Sequence, residues 1–371
     1  MNHLLNLDTT MHEALALAAQ AIGLCEPNPR VGCVIVASYG RVIGRGHTQP
    51  AGEAHAEVMA LRDAAAHGES VVGATVVVTL EPCSHHGRTP PCADALIAAG
   101  VARAVIAIED PNPLVAGQGV QRLRAAGIDV STGLLGEESR ELNIGFFSRM
   151  RRGRPWVRLK AAVSLDGHTA LANGASQWIT GEDARADGHA WRKRAGAVLT
   201  GIGTVLEDNP RLDVRHVSTV HQPVRVVVDS RLGTPPTSHI LDAPGQTLLY
   251  AAQPDAASRA MLEKRGAEIV LVPNAQGKVD LQAMLADLAR RGINELHVEA
   301  GHKLNGSFVR DGLVDEFLIY IAPKLLGSGR ELAAFGPLER IDESLALRFA
   351  SVTRVGEDLR ILARPAAATE F

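Results

Sequence analysis

The chain has 371 residues, a net charge of −3, and contents of 46% hydrophobic and 21% charged residues. This composition is typical of globular proteins with apolar cores, and the length suggests two or three domains. The acidic balance argues against a large nucleic-acid-binding surface, and no apolar run is long enough to predict a membrane-spanning helix.

The N-terminal segment MNHLLNLDTTMHEAL has no basic stretch followed by a long apolar stretch, so it does not predict a secretion signal. The four cysteines are therefore expected to bind metal or to be buried, and not to form a disulfide framework. They are Cys25, Cys33, Cys83 and Cys92. Together these features predict a cytoplasmic protein.

The first part of the chain predicts strands that alternate with helices. In chain order these are a helix over about 10–22 that Asp8, Thr9 or Thr10 could cap, the strands RVGCVIVAS and RVIGRGHT, a helix over about 55–67, the strand ATVVVTL, a helix over about 91–99, the strand RAVIAI, a helix–strand pair ending near Val130, and a helix over about 137–150. This alternation predicts a three-layer α/β domain with crossover connections.

The segment RRGRP follows the last of these helices and is predicted to be the domain boundary. Its basic residues, Arg149, Arg151, Arg152 and Arg154, are interpreted as a solvated linker. A second strand-rich pattern then runs from WVRLKAAVSLDG to EFLIYIAPKLLG, and LRFASVTRVGEDLRILAR predicts two strands around a turn at Gly356. We therefore predict two different α/β domains, over 1–150 and 151–371.

His55-Ala56-Glu57 stands at the start of a predicted helix, and Pro82-Cys83 and Cys92 follow later. A His-x-Glu segment followed by Pro-Cys and a second cysteine is typical of zinc nucleobase deaminases, although here eight residues separate the cysteines instead of two. Two thiolates and one imidazole would leave the fourth position of a tetrahedral zinc ion open for water. Glu57 would then move protons and stay off the metal.

His85 and His86 are alternative metal ligands by residue type. A catalytic zinc site needs an open position, which a fourth protein ligand would close, so both are predicted to lie off the metal in a loop beside the site. Cys25 and Cys33 are predicted to be small buried side chains.

The segments EPNPRVGCVIV, AHAEVMAL and LEPCSHHGRTPPCADALI resemble the deaminase half of the bifunctional riboflavin-biosynthesis deaminase–reductase family. The resemblance implies a cytidine-deaminase-like fold with the zinc ligands His55, Cys83 and Cys92, the proton shuttle Glu57, and Asn28 in contact with the pyrimidine. Ala54 and Met59 depart from the expected pattern around the histidine.

In the second half, the segment GIGTVL has Leu206 where a dinucleotide-binding fingerprint would have its third glycine. The segment HVEAGHKLNGS predicts a strand that turns into a helix at Gly301, where backbone amides could hold a pyrophosphate. Each pattern alone favours an ordinary strand–helix turn.

Six further segments together resemble the reductase half of the same family, which implies a dihydrofolate-reductase-like α/β domain that uses NADPH. They are KAAVSLDGHTA, SQWIT, GTVLEDNPRLDVR, VVVDS, HVEAG and YIAPKLLGSG. The cofactor-binding residues implied are Ala162, Trp178, Thr204, Asp208, Ser230, Gly301, His302, Lys303, Leu304, Asn305, Gly306 and Ser307. The substrate-binding residues implied are Ser176, Arg192, Leu212, Arg215 and Glu299.

Arg192 and Arg215 suit a phosphate ligand because a guanidinium group pairs with phosphate oxygens, and the alternative for each is an ion pair. Asp213 stands two residues before Arg215, where a neutral residue is usual in the family. A carboxylate facing the phosphate would weaken binding, so we expect it to point away.

The sequence therefore predicts a bifunctional enzyme of riboflavin biosynthesis. The first domain would hydrolyse the 2-amino group of a phosphorylated diamino-ribosylamino-pyrimidinone, and the second would use NADPH to reduce the ribosyl group to ribityl. The alternatives are a zinc deaminase with a non-catalytic second domain and a nucleic-acid-binding protein. We expect a small-molecule substrate, neither nucleic acid nor membrane as partner, and a homo-oligomer.

Overall fold

The computed structural model describes residues 6–85, 90–113 and 115–367. The chain divides after Gly153 into two compact units, and the division lies inside the basic segment RRGRP. Within the described ranges, no helix is long and apolar enough to cross a membrane.

The first unit is built on one five-stranded sheet with the strand order β2-β1-β3-β4-β5, counted over the described residues. Strand β1 runs antiparallel to β2 and β3, whereas β3, β4 and β5 are parallel. The strands are β1 Gly32–Val36, β2 Val42–His47, β3 Thr75–Val78, β4 Arg103–Ile106 and β5 Asp129–Thr132. The helices are α1 Leu7–Ala19, α2 Ala56–Ala66, α3 Cys92–Ala98, α4 Gln118–Ala125, α5 Gly136–Leu142 and α6 Ile144–Arg152.

Helices α1 and α2 pack on opposite faces of this sheet at glycines that allow backbone contact. A Cβ atom on Gly32 would lie 1.9 Å from the carbonyl oxygen of Ala14 in α1. A Cβ atom on Gly46 would lie 2.3 Å from the carbonyl oxygen of Ala56 in α2. Gly46 pairs with Cys33, the neighbour of Gly32, and successive strand residues face opposite sides. The predicted three-layer arrangement is therefore confirmed.

Helix α1 begins and ends earlier than predicted. Asn6 is its N-cap, and the Asn6 side chain accepts a hydrogen bond from the Thr9 amide at 3.2 Å. The predicted caps Asp8, Thr9 and Thr10 therefore lie inside the helix. The prediction was wrong because several consecutive residues suit an N-cap, and their side chains alone do not decide between them.

The single helix predicted over 137–150 is two helices that meet at Asn143, where φ is −110°. The Asn143 side chain accepts a hydrogen bond from the Arg30 amide at 2.8 Å and donates one to the Arg30 carbonyl at 2.9 Å. The break in the helix thus accompanies a side-chain clamp on the segment that precedes β1.

The second unit contains a nine-stranded sheet with the order β11-β10-β9-β8-β12-β6-β13-β16-β15, again counted over the described residues. The strands from β11 to β13 in this order are parallel, and β16 and β15 continue the sheet antiparallel. The strands are β6 Trp156–Ser164, β7 Ala170–Leu171, β8 Ala197–Gly201, β9 Val224–Val228, β10 Thr247–Ala251, β11 Ala267–Leu271, β12 Glu295–Val298, β13 Glu316–Ala322, β14 Gly329–Arg330, β15 Leu347–Val355 and β16 Asp358–Pro365. The helices are α7 Glu182–Arg194, α8 Ile202–Asp208, α9 His239–Asp242, α10 Ala256–Lys264, α11 Leu281–Arg290 and α12 His302–Arg310, with a 3-10 turn at Ile341–Glu343.

A group of charged side chains is buried within this sheet. Arg158 donates to Glu295 at 2.8 Å and to Glu316 at 2.5 Å, and all three side chains are 1–2% exposed. Arg194 also pairs with Glu295, and Arg364 also pairs with Glu316. Each buried carboxylate therefore contacts two guanidinium groups, which offsets its loss of hydration.

The last two strands form the predicted hairpin, with Gly356 in its turn at φ +60°. Strand β15 is the edge of the large sheet and is exposed along most of its length. Phe349 is 71% exposed and Val352 is 55% exposed on this strand.

Candidate active sites

His55 is the N-cap of α2, with extended backbone angles, and Glu57 is the second residue of the helix. Residues two apart point to different sides of a regular helix. Because His55 precedes the helix, its imidazole and the Glu57 carboxylate can lie in one cavity. The predicted helix start at His55 is what such a shared site needs. Cys83 follows β3, and Cys92 begins α3.

These elements bring three donor atoms together. Nδ1 of His55 lies 3.6 Å from Sγ of Cys83 and 3.3 Å from Sγ of Cys92, and all three atoms lie within 4.8 Å of one another. A tetrahedral zinc ion with bonds of about 2.3 Å to sulfur and about 2.0 Å to nitrogen separates these donors by about 3.5 Å. The residues therefore fit zinc in donor type and in spacing.

The pKa values of the two thiols are shifted in opposite directions because the side chains interact with each other. A hydrogen bond from Cys92, together with His55, lowers the pKa of Cys83 below the usual thiol range. The Cys83 sulfur in turn raises the pKa of Cys92, and burial raises it further. The Cys92 amide also donates to the Cys83 sulfur at 3.3 Å, which favours the thiolate.

Glu57 lies beside these donors and is 3% exposed. Burial, and next the charge of Cys83, raise the pKa of Glu57 to about 7. A carboxyl group with a pKa near neutrality can both accept and return a proton, which is what general acid–base catalysis requires.

A cavity of about 360 Å³ opens onto the donor group. It is lined by Pro27, Asn28, Pro29, Val31, Thr48, Ala51, Gly52, Glu53, His55, Glu57, Leu80, Glu81, Cys83, His85, Asp110, Asn112, Phe146, Arg149 and Met150. Asn28 is thus in the cavity, as the resemblance implied for a pyrimidine contact. Arg149 is half-buried and lines the same cavity, so its interpretation as a solvated linker residue was wrong.

His85 is exposed at this cavity, and the donor group found among the described residues has only the three members named above. His86 lies outside the described residues. Cys25 and Cys33 are fully buried, as predicted.

Sequence reasoning missed two buried carboxylates of this cavity, Glu81 and Asp110. The Glu81 carboxylate accepts backbone hydrogen bonds from Asp110, Gly117 and Val120 at 2.9–3.1 Å, so it holds the loop after β4. Burial raises the pKa of Asp110 to about 7. Each residue follows the end of one of two parallel strands, and such strand ends meet at one edge of a sheet, which was the available signal.

The second unit has a cavity of about 750 Å³. Its lining comes from the ends of β8, β9 and β12 and the starts of α8 and α12, and comprises Gly201, Ile202, Gly203, Thr204, Glu207, Val228, Asp229, Ser230, Arg231, Gly233, Lys278, Gly301, His302, Lys303, Leu304 and Arg330. Of the cofactor residues implied by the resemblance, this cavity brings together Thr204, Ser230 and 301–304.

The other implied cofactor residues do not line this cavity. Asn305 and Gly306 are buried, and Gly306 packs against the backbone of Ala334, where a Cβ atom would lie 2.1 Å from the carbonyl oxygen. Trp178 is 64% exposed, with the Arg185 guanidinium 4.7 Å from its ring centroid. Ala162 lies in β6, Asp208 ends α8, and the Ser307 hydroxyl donates to the Lys303 carbonyl in α12.

Arg192 and Glu299, two implied substrate residues, bind each other. Arg192 donates to the two Glu299 carboxylate oxygens at 2.5 and 2.9 Å, and its third donor binds the Asp213 carbonyl at 2.9 Å. Burial alone would raise the pKa of Glu299, but Arg192 and Lys160 hold it well below its usual range. The ion-pair alternative thus describes Arg192 in this structure.

Arg215 is half-exposed, and Asp213 contacts its guanidinium directly. Asp213 also pairs with Arg211 at 2.9 Å and is 3% exposed. Asp213 therefore points toward these two arginines, which offset the charge of its buried carboxylate, and its direction relative to a substrate phosphate stays a prediction. Leu212, the residue between Arg211 and Asp213 in the chain, is buried and has a φ of +54°. Ser176 is partly exposed.

Comparisons with known proteins agree with this geometry. Residues 6–108 match the cytidine and deoxycytidylate deaminase zinc-binding region, and residues 155–361 match the RibD C-terminal domain. The second match alone spans more than half of the chain. The predicted cofactors, zinc for the first half and NADPH for the second, agree with these two domain families.

Curated relatives match along nearly the whole chain. The riboflavin biosynthesis protein RibD of Escherichia coli is 47% identical over 94% of this chain and 96% of its own. The RibD protein of Aquifex aeolicus is 41% identical over 95% of this chain and 96% of its own.

Solved structures of related proteins are also similar to this chain over nearly its whole length. RibD of Acinetobacter baumannii has a TM-score of 0.89 and 41% identity, covering 98% of this chain and all of its own. The Thermotoga maritima diaminohydroxyphosphoribosylaminopyrimidine deaminase/5-amino-6-(5-phosphoribosylamino)uracil reductase has a TM-score of 0.87 and 33% identity, covering 97% of this chain and 99% of its own.

These matches confirm the predicted enzyme class, hydrolase and oxidoreductase in one chain, and do not favour a non-catalytic second domain. The chain belongs to the RibD family, the bifunctional deaminase–reductases of riboflavin biosynthesis.

Proposed function

We propose that the unit ending at Gly153 carries out the deamination and that the unit beginning at Arg154 carries out the reduction, with the site residues named above. The substrate of the first reaction would be 2,5-diamino-6-ribosylamino-4(3H)-pyrimidinone 5′-phosphate. The observation that carries this proposal is the set of three donors, His55, Cys83 and Cys92, spaced for zinc beside the buried Glu57.

In the deaminase, His55, Cys83 and Cys92 would hold zinc, which when bound supplies an activated water at neutral pH. Glu57 would accept a proton from the attacking water and pass protons to the ring nitrogen and the departing amine. The overall step consumes one water and releases one ammonia. Asn28, at the wall of the cavity, would hold the pyrimidine edge.

In the reductase, NADPH would supply the hydride that converts the ribosyl group to ribityl. The larger cavity is suited to it because its walls are the carboxyl ends of parallel strands, where nucleotides bind in open α/β sheets. Arg231, Lys278 and Lys303 line the cavity, and none of their charged groups forms a hydrogen bond or ion pair among the described residues. Such free cations favour the phosphate-rich NADPH over NADH.

Product analysis by mass spectrometry, together with zinc determination, tests this proposal. The purified protein should contain one zinc per chain, convert the diamino substrate to the uracil compound without NADPH, and proceed to the ribityl product with NADPH. NADH should support the second step with lower affinity. Cys92→Ser should lose zinc and deamination together but still reduce the supplied uracil compound. Deamination by a zinc-free chain would contradict the metal assignment.

We further propose that the chain is a cytoplasmic homo-oligomer that binds no nucleic acid. The exposed apolar edge strand β15 supports self-association, because unpaired edges with exposed side chains such as Phe349 tend to be covered. Light scattering coupled to size exclusion should give a molar mass that is a multiple of the 39.3 kDa chain. A monomer at micromolar concentration would contradict this proposal.

A further inference from the structure

The loop of residues 211–215, which we call the arginine loop, is fastened to the second unit by several side chains. Gln222 accepts a hydrogen bond from the Val214 amide at 2.7 Å and donates one to the Val214 carbonyl at 3.0 Å. Arg192 donates to the Asp213 carbonyl at 2.9 Å. These contacts hold the backbone of the two residues that precede Arg215.

His189, on α7, makes the contact to Arg215 itself. Its Nδ1 atom accepts a hydrogen bond from the Arg215 backbone amide at 3.2 Å. The imidazole is 6% exposed and packs edge-on against His216, with 4.5 Å between the ring centroids. The ring is therefore held in place, and the resemblance assigns it no role.

Only a neutral imidazole can accept a hydrogen bond at Nδ1. Burial lowers the pKa of His189 to about 4, and the nearby Arg192 and Arg215 guanidinium groups add to this effect, whereas Glu299 opposes it. His189 therefore stays neutral throughout the pH range of an ordinary assay, so the contact is present whenever the enzyme works.

We infer that His189 is a positioning residue of the reductase, whose Nδ1 atom fixes the Arg215 backbone so that the guanidinium meets an anionic group of the substrate. The inference rests on the proposed role of Arg215 in substrate binding. The anionic group is the 5′-phosphate, because the reduction takes place at the other end of the sugar. An interaction with such a remote group changes substrate affinity more than the rate of the chemical step.

Replacing His189 with Leu should raise the KM for the deaminated intermediate about tenfold and leave kcat within about twofold. The magnitude follows from leaving the partly buried Arg215 amide without its acceptor. His189→Asn should recover most of the loss, because its side-chain oxygen can take the place of Nδ1. The effect of the Leu variant should be the same at pH 6 and pH 8.

Binding measurements separate this role from general damage to the fold. The affinity for NADPH, measured by calorimetry, and the deaminase rate should both stay at wild-type values in His189→Leu. Gln222→Leu, which releases the same loop at the neighbouring residue Val214, should give the same rise in KM and serves as the second variant if His189→Leu does not fold. An unchanged KM in His189→Leu, or no recovery in His189→Asn, would overturn the inference.

Arg215→Gln distinguishes failure of the inference from failure of the proposed function. If Arg215→Gln raises KM and His189→Leu does not, only the positioning role is wrong. If neither variant changes KM, Arg215 does not bind the substrate, and the proposed substrate site is wrong as well.

Discussion

Replacing Glu57 with Gln is expected to lower the deamination rate by about 10²- to 10⁴-fold while reduction of the supplied uracil compound continues at the wild-type rate. The amide has nearly the same shape but cannot take a proton from water. The two candidate sites lie in separate compact units, so loss of one proton shuttle should leave the other reaction intact. Ammonia release and NADPH oxidation, followed separately, measure the two rates.

Glu137→Gln provides the matched control, since this glutamate is 72% exposed and pairs with Arg140 on α5. The control should deaminate normally. The Glu57→Gln protein should keep its zinc, because the carboxylate lies outside the donor group. A folded Glu57→Gln protein that lost both activities would contradict two separable sites, and one that still deaminated normally would remove Glu57 from the mechanism.

Replacing Glu316 with Leu is expected to lower the free energy of unfolding of the second unit by about 3–5 kcal/mol. The change removes the buried carboxylate that Arg158 and Arg364 share, so each guanidinium group loses one ion pair in a part of the sheet that excludes water. Urea denaturation of the wild-type and variant proteins measures the difference. Glu357→Leu, at a glutamate that is 83% exposed and pairs with Arg354, should change stability by less than about 1 kcal/mol.

The ion pairs of Glu316 with Arg158 and Arg364 should also make the stability of the second unit depend on pH. Burial alone would raise the pKa of Glu316, but Arg158 and Arg364 lower it overall below the ordinary glutamate value of 4.5. A carboxylate with a lowered pKa in the folded protein stabilises the fold above the ordinary value and loses that contribution as the pH falls through its own pKa. The difference between wild type and Glu316→Leu should therefore shrink in acid. A difference that grew in acid would show that the pair does not stabilise the protein.

The three candidate zinc donors could be predicted as a group because their chemistry restricts both residue type and order. One histidine at a helix start and two cysteines near later strand and helix ends meet only in a few folds, and the structure brings them together. Glu81 and Asp110 could not be predicted in the same way. Their convergence depends on which strands are neighbours in the sheet, and composition and spacing do not contain the strand order.

The second unit was harder to predict for the same reason. Its cavity is formed by residues from segments far apart in the chain, from Gly201 to Arg330, and the glycine pattern near Gly201 is incomplete. Only the resemblance to a family joined these segments. Even then, the pairing of Asp213 with Arg211 and Arg215 was missed, because an ion pair depends on side-chain directions and burial.

Helix α2 lies close to the sheet at Gly46 because glycine has no side chain. The position of the first turn of α2, which carries Glu57, therefore depends on Gly46. Any larger residue there would press on the carbonyl of Ala56, which lies between the proposed zinc ligand His55 and the proposed proton shuttle Glu57. In a library of random variants, Gly46 should consequently tolerate replacement as poorly as a metal ligand. A search for reactive side chains would miss Gly46. The missing side chain at Gly46 nevertheless lets α2 lie close to the sheet, and this determines the positions of His55 and Glu57.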